Sequence, residues 1–115
     1  MLDELYAGSI ADAAARRELV SLQQIEAEAL AQSPALNALE WLAPAGQIKV
    51  LAEVKRASPS RGQLAEIPDP AVLAEIYANN GASAISVLTE ERKFKGSLAD
   101  LAAVREVVSV PLLRK

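Results

Sequence analysis

Ile48-Lys-Val-Leu-Ala52 runs directly into Glu53-Val-Lys55-Arg-Ala-Ser58-Pro59-Ser60, and the reading of this stretch decides the fold. The apolar run reads as a buried strand, bounded downstream by Ser, Pro and Gly62. Side chains alternate faces along a strand, so Glu53 and Lys55 project to the same side at its C-terminal end. An acid and a base placed together there are costly for a core and useful for chemistry. In parallel α/β folds, ligands sit at the carboxyl ends of the strands.

Outward from this strand, the chain divides in character. Before the Pro44-Ala-Gly46 turn it is helical in pattern, and we place a helical extension at 1–46 and a β/α segment at 47–115. Leu2, Leu5, Tyr6 and Ile10 recur at helical spacing, and Ala-rich sequence continues to Arg17. Ser21 and Gln24 have the spacing of a capping box, opening a second helix with a stripe of Leu22, Ile25, Ala29 and Leu30, which Ser33-Pro34 stops. Trp41 reads as a packing anchor for this helical segment, and Arg16-Arg17 as a solvated helix end.

After Gly46 strands and helices alternate. Strand one covers about 48–54 and a long loop leads to Pro68. Asp69-Pro70 then opens a helix with Val72, Leu73, Ile76 and Tyr77 as its apolar positions, closed by Asn80-Gly81. Strand two is Ala84-Ile-Ser-Val-Leu88. Ser97, with Asp100 three residues on, opens a helix whose Leu98, Leu101, Val104 and Val108 face inward, and strand three starts at Pro111-Leu-Leu. This order specifies parallel strands with right-handed crossovers, strands one, two and three side by side. Two helices serving three strands leave an open edge, so the expectation is not a finished domain but the front part of a larger α/β protein. Its uncovered apolar surface would favour aggregation or oligomers.

Composition bounds the function. Of 115 residues 51% are hydrophobic and 3% aromatic, which implies an aliphatic core. The absence of cysteine and histidine excludes disulfides, thiolate metal sites and a Ser-His triad within this chain. Residues 1–48 carry −5 and residues 49–115 carry +2. The acidic half argues against nucleic acid, and the basic half suits a small anionic substrate. Met-Leu-Asp-Glu-Leu is acidic where a signal peptide is basic, and no apolar run approaches a membrane span, so a soluble cytoplasmic protein is expected.

The strand ends line up as a site: Glu53 and Lys55 end strand one, Thr89-Glu90-Glu91 follows strand two, and Lys115 ends strand three. Gly96-Ser97 adds backbone N–H groups at a helix start, where anions are favoured. Strands one and three could aim Lys55 and Lys115 into one cavity, two strand spacings or roughly 10 Å apart. Of the charge run Glu90-Glu-Arg-Lys-Phe-Lys95, the first four residues read as a solvated loop and Phe94 as facing the site. Taken alone, Lys55 and Arg56 would read as solvated loop bases.

With these motifs in order, the chain closely resembles the indole-3-glycerol-phosphate synthase family. The resemblance rests on Ala52-Glu-Val-Lys-Arg-Ala-Ser-Pro-Ser60, Gly81-Ala-Ser-Ala-Ile-Ser-Val-Leu-Thr-Glu90, Phe94-Lys-Gly-Ser97 and Pro111-Leu-Leu-Arg-Lys115. It implies the first three strands of a TIM (β/α)₈ barrel behind a helical extension. The activity implied is that of a lyase of tryptophan biosynthesis. It closes the ring of 1-(2-carboxyphenylamino)-1-deoxyribulose 5-phosphate with loss of carbon dioxide and water. No metal or organic cofactor is implied. Lys115 matches the general acid, Lys55 a lysine that contacts the substrate's anionic groups, and Glu53 a carboxylate that binds substrate and serves the dehydration. Ser58 and Phe94 match residues lining the anthranilate side. The general-base glutamate and the main phosphate loops belong to later strands, supplied by the same chain or a second polypeptide, so this segment alone is expected to be inactive. Two rivals stand beside it. One is a non-catalytic half-barrel scaffold or split-enzyme subunit that binds a partner. The other is the neighbouring isomerase of the same pathway, disfavoured because its acid–base pair uses a cysteine.

Overall fold

A computed structural model describes all 115 residues. They form two compact units, Met1–Ala35 and Leu36–Lys115. The first holds helices α1 (Leu2–Leu19) and α2 (Leu22–Leu30). Ser21 caps α2 as its spacing predicts, accepting the Gln24 backbone N–H. The box is only half made, because the Gln24 amide turns forward to Glu28 one turn along.

The second unit runs α3 (Ala38–Leu42), β1 (Leu51–Val54), β2 (Ala57–Ser58), β3 (Gly62–Gln63), α4 (Pro70–Asn79), β4 (Ala84–Val87), α5 (Leu98–Val107) and β5 (Leu112–Arg114). Strands β1, β4 and β5 form one parallel sheet in that order. Short connections cannot join parallel neighbours, so α4 and α5 make the crossovers. Strand β1 is shorter than the apolar run from Ile48 suggests. The partner side explains it: Ser83 and Ala84 donate to the Val50 carbonyl, but the residues before them are occupied in closing α4. There Ala82 donates to Tyr77 O and Gly81 to Ala78 O, with Gly81 at φ +96°. This is a Schellman turn that needs glycine in the left-handed region.

Alternation along the strands separates two faces. Ala52, Val54, Ile85, Val87 and Leu112 pack against Leu73, Ala74, Tyr77, Ala78, Leu101 and Val104 of the helices, with Ile67, Ala82, Val108 and Val110 completing the core. The face of α4 is rotated from the expected one. Ala74 is fully buried, whereas Val72 and Ile76 are half-exposed, because close approach of helix to sheet favours the small side chain. Leu98 at the start of α5 is likewise partly exposed. Trp41, on α3, is 39% exposed. It lines a cavity of about 420 Å³ with Glu40, Gln47, Lys49, Ala82 and Ser83, all in the sheet-containing unit. The cavity is at the N-terminal end of the strands, opposite the site.

The loop after β1 is not structureless. Ala57↔Gln63 and Ser58↔Gly62 pair as an antiparallel hairpin, β2–β3. Arg61 donates to Ser58 O across a turn with Pro59 second in it, and Gly62 follows at φ +66°. The Asp69 cap is formed as the sequence predicts, accepting from Ala71 and Val72. Ser97 caps α5 through the Asp100 N–H.

Candidate active site

The inner sheet face carries Leu51, Glu53, Ser86, Leu113 and, past the strand ends, Lys55 and Lys115. Glu53 is the centre. Lys55 Nζ lies 2.6 Å from Glu53 Oε2 and Lys115 Nζ lies 3.1 Å from Oε1. Lys55 and Glu53 meet because they sit two apart on one strand; Lys115 arrives from β5, two strands away. Both ammonium groups thus reach a single carboxylate, a tighter convergence than strand spacing alone predicts, since long side chains lean inward across β4.

Two further groups hold Glu53, and the sequence alone gives neither a place at the site. Ser86, 3% exposed, is the register partner of Glu53 on β4, and its hydroxyl donates to Oε1 at 3.4 Å. The Tyr77 hydroxyl donates to the Glu53 backbone carbonyl at 3.4 Å. A signal existed for Ser86: it is the one hydroxyl inside the apolar run of strand two. Tyr77 was hidden by its apolar ring, which packs in the core.

Partial burial pushes the Glu53 carboxyl up, while hydrogen bonds and charge from Lys55 and Lys115 pull it down more strongly, leaving it below the ordinary glutamate value. A carboxyl depressed by folding contributes stability that is fully present above its unfolded pKa, about 4.3, and is lost as pH falls through the lower native value. The unfolding free energy of the wild-type chain should therefore decline as acid is added below about pH 4. A Glu53→Gln variant should show a shallower decline in that window when urea midpoints are compared. Equal slopes would mean the carboxylate gains nothing from the two lysines.

The surrounding loops are tied together by Arg56, which is not a solvated base. Its guanidinium donates bidentately to Asp100 at 2.5 and 3.3 Å, to Ile67 O at 3.0 Å and to Lys95 O at 3.2 Å. It joins the loop after β1, the loop after β4 and the start of α5. Glu90, expected to be solvated, is also structural. Its carboxylate accepts the backbone N–H groups of Arg92 (3.0 Å), Lys93 (2.7 Å) and Phe94 (3.0 Å). Burial pushes the Glu90 carboxyl up and these N–H groups outweigh it, so its pKa too is lowered. Glu91, Arg92 and Lys93 are exposed, while Phe94 is half-buried. Ser58 is half-buried on the first strand of the hairpin. No group of three or more His, Cys, Asp or Glu side chains is placed to hold a metal ion, and no helix is long and apolar enough to cross a membrane.

Parallel strands joined by crossover helices, with an acid and two ammonium groups gathered at their carboxyl ends, define an α/β protein with its site at the strand mouths. Comparison with known proteins makes this particular. The chain belongs to the indole-3-glycerol phosphate synthase family, whose model matches residues 2–115. It is 64% identical over 115 residues to the indole-3-glycerol phosphate synthase of Leifsonia xyli subsp. xyli, covering all of this chain and 44% of that protein. The corresponding proteins of Arthrobacter sp. (strain FB24) and Mycolicibacterium smegmatis are 55% and 56% identical, each over the whole chain, with 44% and 42% of their own lengths covered. The chain thus spans less than half the length of these relatives.

Proposed function

We propose that this chain supplies the first three strands of an indole-3-glycerol-phosphate synthase barrel. The reaction is ring closure of 1-(2-carboxyphenylamino)-1-deoxyribulose 5-phosphate to indole-3-glycerol phosphate. The observation that carries the reading is the Lys55–Glu53–Lys115 cluster at the strand mouths, on a chain of this family. The Lys115 ammonium is the general acid: it gives a proton to the sugar carbonyl oxygen as the aryl carbon bonds to the carbonyl carbon. Carbon dioxide then leaves, and water follows with Glu53 assisting the dehydration. Lys55 holds the substrate's anionic groups, and Ser58 and Phe94 line the anthranilate side. Glu53 positions both ammonium groups through its two oxygens, Ser86 supporting one of them.

The chemistry needs more than these strands. Leu51 and Leu113 on the inner face are 47% and 50% exposed, a surface suited to being covered by further barrel strands, from one chain or two. The proposal is tested by giving the barrel that carries this chain the synthetic substrate and following indole fluorescence and carbon dioxide release. One of each product per turnover is expected. Tight substrate binding without either product would sink the reading.

A further inference from the structure

The loop after β4 is organised around one carboxylate, and we propose that Glu90 is a positioning residue that fixes Phe94 for binding the aryl end of the substrate. This rests on the assignment of Phe94 to that end of the pocket. Glu90 Oε1 takes the Arg92 N–H, and Oε2 takes those of Lys93 and Phe94. The Glu90 carbonyl takes the Gly96 N–H at 3.0 Å. The loop is therefore closed on Glu90 at both its side chain and its main chain. Phe94 is secured by its own amide, while Lys95, at φ +59°, passes its carbonyl to Arg56.

Only an anion of this length does the whole task. Three N–H groups converge on two oxygens, an arrangement that favours a charged acceptor over a neutral one. Glutamine has a single acceptor oxygen and would turn an NH₂ group toward at least one of the three amides. Aspartate keeps the charge but is one methylene shorter. Glu90 has no partner in the Glu53 cluster, so its effect reaches the reaction through Phe94 and should weaken substrate binding rather than the proton steps.

In the complete barrel carrying this chain, Glu90→Gln is expected to raise KM about tenfold, with kcat changed by less than about twofold. Amide hydrogen exchange at residues 92–94 should rise in the same protein without substrate. With Phe94→Ala already present, adding Glu90→Gln should raise KM no further, since a residue acting only through Phe94 has nothing left to position. If Phe94→Ala raises KM and Glu90→Gln does not, the positioning role is overturned and the reading of Phe94 stands. Should Phe94→Ala leave KM unchanged, the aryl-side assignment fails and this inference fails with it. A fall in kcat at unchanged KM in Glu90→Gln would also overturn it.

Discussion

Replacing Gly96 with alanine should destabilise the sheet-containing unit by about 3 kcal/mol, the upper end of what overpacking costs. A Cβ there would stand 1.8 Å from the Leu88 carbonyl oxygen and 2.6 Å from its carbon. Both are main-chain atoms of the residue that follows β4, which cannot swing aside as a side-chain tip can. Leu88 is itself pinned, its N–H donating to Val54 O, and is 3% exposed. Relief would have to come from the loop, which is held by Glu90 on one side and Arg56 on the other. Gly62→Ala makes the informative contrast. Gly62 has φ +66° and nothing within 4 Å of the added carbon, so its cost is conformational alone, roughly 1–2 kcal/mol. Urea unfolding followed by circular dichroism compares the two. A Gly96→Ala variant within about 0.5 kcal/mol of wild type would show that Leu88 and the loop can part freely.

Neither glycine role could be separated by reading the sequence, and that difference marks how far sequence reasoning carries here. Local signals were sufficient wherever one residue type answers one backbone need. Asp69-Pro70, Ser97 and Asn80-Gly81 mark helix ends that the structure confirms. The strand order followed from connection lengths, because parallel neighbours require crossovers. What failed were features set by partners distant in sequence. Strand β1 starts at Leu51 rather than near Ile48 because of what faces it. The buried face of α4 turns on Ala74, which is inconspicuous in an Ala-rich chain. The β2–β3 hairpin is a pair of two-residue strands, too short for any periodicity to appear.

The site shows the same division. Glu53, Lys55 and Lys115 were legible because their spacing places them at strand ends, and the structure brings all three together. Arg56 lies one residue from Lys55, yet strand alternation sends it to the other side, where Asp100, forty-four positions on, receives it. Glu90 and Glu91 are adjacent acids in a charged loop; only the first folds back on the amides that follow it. Sequence gives residue types and faces. Which charge meets which backbone group depends on a loop path that no periodic pattern encodes.

The largest functional effect should come from Lys115→Met in the complete barrel. The substitution keeps an unbranched stem and removes the ammonium that lies 3.1 Å from Glu53 Oε1. Because the Lys115 side chain is 59% exposed, the lost ion pair is a solvent-screened one, worth at most about 1 kcal/mol of stability. Loss of a general acid, by contrast, lowers kcat by 10²–10⁴-fold, and we expect about 10³-fold here. Stability and rate should therefore separate, with an almost unchanged urea midpoint and a nearly inactive enzyme. Lys115→Arg then distinguishes the two ways a cation can act. Arginine preserves the charge beside Glu53 but does not release a proton in proteins. If the proton is what matters, Lys115→Arg will be about as slow as Lys115→Met; if only the charge matters, it will recover most of the rate. A Lys115→Met enzyme that keeps kcat within tenfold of wild type would remove Lys115 from the chemistry. The cluster around Glu53 would then be a structural ion network at the barrel mouth.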